Sequence, residues 1–454
     1  VAVIGGPNLL FRNEGGGRFT AVRTGELVNV RHWHYGVSFG DYDNDGNVDL
    51  FQANGQSVLG SLMYRNAGKG DLRRTEAWRA PSEVVLGWAA AWGDYDNDGY
   101  LDLVVTHPIG FVGSPGSSNW LFHNNGDLTF SEVVNSPVVA QFAPYTVPVW
   151  VDFDGDGDLD LFIGSGPANG TVRPDYIFRN MLKETGKAVF QRITDLPMAK
   201  DSLDGQVWNF VDVDGDGDLD GFVTNYVGVS GRGMRNYLYR NDGGTWTRDT
   251  TAGPLVTDAD GSLGQVWGDF DNDGDLDVFI TNGPTRLNRF YWNNGDGTFV
   301  RDTVSLPASV PGPSWGASAA DMDDDGDLDL MVSYRGPRGG VPVRLFRNDL
   351  AAGRHWLELR LVGQKSNRLG IGARVRVWAR IGGRSRVLVR DVLAQNTFGG
   401  HNSFRVHVGL GDAAVADSIR VDWPSGQRDL FRAVRADRYL AATEGKTELQ
   451  PGRP

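Results

Sequence analysis

Between residues 41 and 329 the chain spells the phrase D-x-D-x-D-G-x-x-D six times. The first aspartates fall at Asp41, Asp94, Asp152, Asp212, Asp269 and Asp321, in steps of 53, 58, 60, 57 and 52 residues. A near-constant step of this length implies one supersecondary unit per repeat. Within each phrase, side chains at positions 1, 3 and 5 converge as the chain curls, and glycine at position 6 permits the sharp turn. Position 7 offers its carbonyl and position 9 closes the cage. Oxygen-only coordination by hard carboxylates is the chemistry of Ca²⁺. The phrase resembles the first half of an EF-hand loop, but it lacks the glutamate at position 12 and is flanked by β-forming residues. Solvated acidic turns use the same residue types. Six copies with aspartate kept at all four side-chain positions favour metal.

The charge balance agrees. The chain has a net charge of −13 over 454 residues, which argues against nucleic acid, because phosphate binding needs a basic face. Six bound divalent ions would bring it close to neutrality. There is no cysteine, so disulfides, thiolate metal sites and cysteine nucleophiles are excluded. No apolar run reaches the ~18 residues that a membrane-spanning helix needs. With 62 Gly, 14 Trp and 22 Phe, the composition suits tight turns and aromatic packing between strands.

Each phrase sits between two strands. A bulky aromatic stands two residues before the first aspartate in five repeats (Phe39, Trp92, Trp150, Phe210 and Trp267), with Ala319 in the sixth. An apolar second strand follows, then a third strand of L-F/Y-R-N type such as Leu10–Asn13, Leu121–Asn124 or Leu345–Asn348. Four antiparallel strands per repeat predict the blades of an all-β propeller over residues 1–350. Six aspartate loops stand beside seven third-strand motifs, because Leu10–Asn13 has no loop before it. We therefore expect seven blades, the last shared between the N-terminal strands and strands from beyond Arg347. A six-bladed ring is the alternative.

These phrases resemble FG-GAP/VCBS repeats, the calcium-loop blades also found in integrin α-subunit heads. Carried over position by position, the resemblance implies Ca²⁺ held by Asp41, Asp43, Asp45 and Asp49, with the carbonyl of Asn47. The second loop would use Asp94, Asp96, Asp98 and Asp102 with Tyr100, and the third Asp152, Asp154, Asp156 and Asp160 with Asp158. The fourth would use Asp212, Asp214, Asp216 and Asp220 with Asp218. The fifth would use Asp269, Asp271, Asp273 and Asp277 with Asp275, and the sixth Asp321, Asp323, Asp325 and Asp329 with Asp327. Six equivalent cages brace hairpins rather than open a coordination position to substrate, so this calcium is read as structural.

From residue 351 the aspartate phrases stop and the chain turns basic. The strings "GARVRVW", "VHVGLGD" and "VDWPSG" read as half-buried strands and a turn. They resemble the ASPIC/UnbV domain, which commonly follows FG-GAP blades in relatives of the cartilage acidic protein family and in bacterial exported proteins. A small C-terminal β-domain over 351–454 is expected. The stretch "LAQNTFGGHNSF" (Leu393–Phe404) fits that family less closely.

In a propeller the first strand of each blade runs towards the loop and the second runs back. The start of the first strand and the end of the second therefore share the opposite face, around the channel. This places His34, Tyr35, Trp88, His107, Tyr145, Gln206, Asn225, Asn282, Trp315 and Arg335 there. Aromatic faces and amides suit a small polar molecule or a glycan. His34 is the first choice for an acid or base, and Asp204 the second. No G-x-S-x-G, H-E-x-x-H or phosphate-cradling loop is present. The sequence thus supports an exported, monomeric, calcium-stiffened binding propeller, extracellular or periplasmic. The alternative is a non-redox cyclase, lyase or isomerase using His34 and Asp204.

Overall fold

The computed structural model describes residues 2–452 except 56–59, 77, 79–84, 112–115, 167–171, 228–230, 284–286, 335–341 and 352. The protein is all-β, and the repeat pattern folds into a propeller. Each aspartate phrase joins the first and second strands of one antiparallel sheet. In the third repeat these strands are Tyr145–Val151 and Asp160–Ser165, followed by Tyr176–Asn180 and Phe190–Ile193. The first strands of successive sheets lie against one another around the channel.

Two local devices set the spacing between blades. In the second and third repeats the aromatic ahead of the loop lies on the preceding blade's glycine: a Cβ on Gly40 would sit 2.8 Å from the Trp92 ring, and one on Gly93 would sit 2.6 Å from Trp150. The indole nitrogens donate to the preceding blade's carbonyls, Trp92 to Ser38 and Trp150 to Ala91. In four of the loop-bearing repeats the asparagine of the third strand adds a second weld. Asn124 donates to the carbonyl of Tyr42, Asn180 to Tyr95, Asn293 to Val213 and Asn348 to Phe270, each a residue of the preceding blade's loop.

The same weld locates the N-terminus. Asn13 donates to the carbonyl of Met322 at 2.9 Å, so the hairpin Leu10–Asn13/Phe19–Val22 follows the sixth loop-bearing sheet in the ring. Ile4–Pro7 then pairs with the start of Arg31–Gly40 in the first sheet. The expected sharing of a blade with strands beyond Arg347 is corrected. The hairpin forms its own two-stranded sheet, and the strands after Phe346 all belong to the C-terminal unit. Their Val/Arg alternation commits one face to a different core.

That unit begins with His355–Val362 and is a sandwich of two four-stranded sheets. Its inner faces, including Leu357, Val375, Val377, Val408, Ile419 and Val421, join one buried cluster with Trp92 and Leu103 of the propeller. The sandwich sits over the aspartate loops. Arg368 N–H donates to Asn44 of the first loop, Arg374 to the carbonyl of Asp152 in the third, and Gly411 N–H to Asn272 in the fifth. Arg386 pairs with Asp275, and Tyr439 donates to Asp321.

Candidate metal loops and the channel mouth

The six loops fold by one internal scheme. The ninth aspartate is buried in all six. One of its oxygens accepts from the backbone N–H at position 2 and the other from the asparagine N–H of the third strand, as in Tyr42→Asp49←Asn66. The asparagine contacts of Asp49, Asp102, Asp160, Asp220, Asp277 and Asp329 span 2.7–2.9 Å. Position 1 accepts from the N–H groups of positions 5 and 6 in the first, second, fifth and sixth loops. Glycine at 6 is required here: Gly46, Gly99, Gly274 and Gly326 all have φ between 91° and 100°, where a Cβ is strained.

The carboxylates converge. Oxygens of Asp41, Asp43 and Asp45 lie within 4.8 Å of one another, as do those of Asp94, Asp96 and Asp98, and of Asp152, Asp154 and Asp160. Burial pushes Asp49 and Asp269 up to about 8, and Asp102 and Asp220 up to about 7. Burial, reinforced by like-charged neighbours, holds Asp94, Asp160 and Asp277 well above the usual carboxylate range. Buried like charges in an oxygen-only donor set are the condition that a bound divalent cation relieves. The residues therefore fit Ca²⁺.

Two features of the loops were not legible as functional positions. The arginine of the L-F-R-N strand faces the aspartate at position 3: Arg65 meets Asp43, Arg179 meets Asp154 and Arg240 meets Asp214. His123 replaces it in the second loop, with Nδ1 3.2 Å from Asp96. Trp292 replaces it in the fifth, where Arg354 of the segment leading to the sandwich supplies the guanidinium instead, 2.8 Å from Asp271. Position 7 also does more than offer a carbonyl. Asp158 accepts from Lys183 N–H, Asp218 from Gly243 N–H and Asp327 from Ala351 N–H, which ties each loop to the turn after the third strand.

At the other end the structure fills the channel that the sequence leaves open. The stretch Leu393–Phe404 descends from the sandwich along the inner strands. Asn209 donates to the carbonyl of Asn396, Thr397 to Ala317, and Val37 N–H to Gly399. Phe398 reaches the far mouth, 5.8 Å from Trp88 and 6.3 Å from Trp315 between ring centroids. Gly264 and Gly316 make room: a Cβ on Gly264 would lie 3.0 Å from Phe398 Cβ, and one on Gly316 would lie 2.6 Å from the Phe398 carbonyl oxygen.

This plug changes what the candidate residues can do. Tyr35 and Trp88 stack at 5.2 Å and enclose Phe111, with Trp315 partly exposed beside Phe398. His34 is buried and its Nδ1 donates to Asn54 at 2.7 Å. Asp204 is buried, accepting from Gln206 and from Val227 N–H. Gln206, Asn225 and Asn282 are fully buried and donate to the carbonyls of Gly166, Arg235 and Leu287. They staple strand ends to neighbouring segments. His107 packs on Trp120 at 4.1 Å, and burial pushes its imidazole down to about 3. Tyr145 is buried, its hydroxyl donating to the carbonyl of Gln141. Arg335 lies outside the described residues. Of the expected ring, Tyr35 and Trp315 are the described members left partly exposed, and Trp88, stacked on Tyr35, is buried.

A propeller with an aspartate loop on each repeated blade, capped and plugged by a β-sandwich, defines the class of protein. The FG-GAP-like repeat pattern matches residues 1–52, 55–105, 111–163, 212–280 and 269–332, and the ASPIC and UnbV pattern matches 363–449. The chain belongs to the FG-GAP repeat family and carries a C-terminal ASPIC/UnbV domain. It is similar to cartilage acidic protein 1 of Mus musculus, 32% identical over 182 residues, covering 38% of this chain and 27% of that protein. The Xenopus tropicalis protein of the same name is 27% identical over 344 residues, covering 71% of this chain and 52% of its own length. The chain thus spans about half or less of these relatives. Among solved structures, an Agrocybe aegerita lectin that recognises non-reducing terminal N-acetylglucosamine is 17% identical, with a TM-score of 0.46 over 78% of this chain and 93% of that chain. The six-bladed, fucose-recognising Aleuria aurantia lectin is 9% identical, with a TM-score of 0.37 over 69% and 91%.

Proposed function

We propose that this protein is an exported, calcium-loaded binding module whose ligand surface is the aromatic collar at the channel mouth. The observation that carries the proposal is the aromatic cluster in which Phe398, delivered by the sandwich through the channel, meets Trp88 and Trp315, while Trp88 in turn meets Tyr35 and Phe111. Trp33, two residues before Tyr35 on the same strand, is 42% exposed. Aromatic faces held rigid by their neighbours suit the apolar face of a sugar ring or another small polar molecule. The acid–base alternative loses its support, because His34 and Asp204 are each no more than 1% exposed and hydrogen-bonded inside the blades. Export accords with the loops: calcium modules of extracellular proteins work at ion levels far above those of cytosol. Among the described residues no helix is long and apolar enough to cross a membrane.

The test is a titration of the calcium-loaded protein with a panel of neutral mono- and disaccharides, read by quenching of tryptophan fluorescence. Saturable quenching by at least one sugar, lost in Phe398→Ala and Trp315→Ala while calcium content is kept, supports the collar. Absence of saturable quenching across the panel removes the glycan reading. Quenching retained in both variants moves the site elsewhere.

A further inference from the structure

The charge of this chain is divided unevenly. Residues 351–454 hold eighteen Lys and Arg against nine Asp and Glu, a local net charge of +9 in a chain of −13. Part of that excess is spent on the aspartate loops, through Arg354, Arg374, Arg386 and Arg390. Five more, Arg376, Arg380, Arg420, Arg428 and Arg432, share the outer face of the sheet formed by Arg384–Asp391, Arg374–Ile381, Val415–Asp422 and Arg428–Arg435.

Register builds that patch. Arg376 stands directly opposite Arg420, Arg428 opposite Asp422, and Arg432 opposite Ser418, which in turn faces Trp378. Adjacent strands lie about 4.8 Å apart, and same-face neighbours along a strand about 7 Å. Several guanidinium groups therefore share a surface only some ~15 Å across. Asp422 alone answers three of them, lying 2.5 Å from Arg376, 3.0 Å from Arg420 and 3.3 Å from Arg428. Arg380 and Arg432 are exposed, and neither has an ion pair among the described residues. Like charges placed directly opposite on a sheet are destabilising, and one carboxylate shared by three guanidinium groups leaves this face with positive charge in excess. Arg420 also lies over the Trp378 ring, with Cζ 5.5 Å from its centroid, which places one guanidinium beside a half-buried aromatic face.

We propose that this face binds a sulfated polysaccharide. Planar guanidinium forks bind tetrahedral and planar oxyanions bidentately. The close spacing asks for a polymer with more than one charge per few ångströms, and the Trp378 face offers a sugar ring a surface between them. The site lies on the C-terminal sandwich and is independent of the channel-mouth collar. A folded nucleic acid fits less well, because the patch is small and the propeller beside it is strongly acidic.

Affinity chromatography on immobilised heparin, with the full calcium-loaded chain, tests the proposal. The protein is expected to be retained at physiological salt and to elute at higher salt than it does from a sulfonate cation exchanger. The double variant Arg420→Glu/Arg432→Glu should lose about tenfold in affinity, as two reversed surface charges imply. The same loss should appear in solution titrations with heparin, while melting temperature and calcium content stay unchanged. Elution no later than from the plain exchanger overturns the proposal. So does unchanged affinity in the double variant, or equal binding of duplex DNA that falls in parallel with heparin.

Discussion

The two ends of the propeller follow different rules. At the loop end the last aspartate of the nine-residue phrase makes the same two hydrogen bonds in all six loops, with a 2.7–2.9 Å contact to the third-strand asparagine. At the channel mouth the side chains and their surroundings change from blade to blade. Trp88, Thr146, Gln206 and Trp315 come from equivalent strand positions, yet the two tryptophans meet the plug and the other two are buried within their blades. Repetition marks what every blade needs to fold. Divergence marks where the ring can be specialised.

The loop end should dominate stability, and the largest effect tests this. Removing the proposed calcium would strip a counter-charge from buried carboxylates and loosen the surface on which the sandwich sits. At a thousandfold excess of free ion over Kd, each site contributes about 4 kcal/mol. Chelation is therefore expected to lower the melting temperature on the order of 20 °C, with about six calcium ions per chain by elemental analysis of the loaded protein. A small shift, or a count near two, would break the equivalence of the loops.

In the metal-free protein, pH should act in the opposite sense to ordinary acid denaturation. Burial raises Asp49 and Asp269 to about 8 and Asp102 and Asp220 to about 7, against an unfolded carboxylate near ~3.9. The folded state then binds more protons than the unfolded state, so stability is greatest at low pH and falls as pH rises through the folded values. With chelator present, the melting temperature should drop from about pH 5 to about pH 8. With calcium it should not, because the ion binds the deprotonated carboxylates. A thermal scan series at fixed ionic strength decides it.

Much of this was readable in the sequence, for a local reason. A loop made by one short segment must carry its own hydrogen-bonding groups in that segment, so period, turn glycine and aspartate spacing appear together. The plug was not readable, because its meaning depends on residues far away. Phe398 finds space since Gly264 and Gly316 lack side chains, and neither glycine signals this locally. Gln206, Asn225 and Asn282 were misjudged for a related reason. Their amides meet the carbonyls of Gly166, Arg235 and Leu287, and a polar residue at a strand end looks the same whether it faces solvent or a turn folded over it. Arg354 replaces a missing arginine from 62 residues beyond Trp292, a complement visible only in three dimensions.

The loops themselves differ in how firmly the sandwich grips them. Asp269 of the fifth loop accepts from Gly274 N–H and from Gly409 N–H of the sandwich. Asp41 of the first loop accepts, among the described residues, from its own loop alone. Asp269→Ala should cost about 3–5 kcal/mol, because it removes a buried cation ligand and leaves donors from both domains unpaired. Asp41→Ala should cost roughly 1 kcal/mol less. Denaturant melts of both variants in saturating calcium make the comparison, and equal losses would mean that the sandwich does not draw stability from the fifth loop.

The smallest effect concerns the seam of the ring. Asn124 and Asn13 make the same inter-blade bond, to Tyr42 and to Met322, but Asn124 is buried and Asn13 is exposed. Asn124 also donates to Leu101 in its own blade, so Asn124→Ala leaves two buried carbonyls without their donor, at a cost of about 2 kcal/mol. Water can replace the amide at Asn13, and Asn13→Ala should cost no more than about 0.5 kcal/mol. If the seam between the sixth sheet and the N-terminal hairpin were as tight as the internal seams, the two variants would melt alike. A difference confined to Asn124→Ala instead locates the weakest joint of the ring at the hairpin. Amide exchange should then show Leu10–Asn13 opening more readily than Trp120–Asn124, since exposed backbone hydrogen bonds open at lower free energy than core ones.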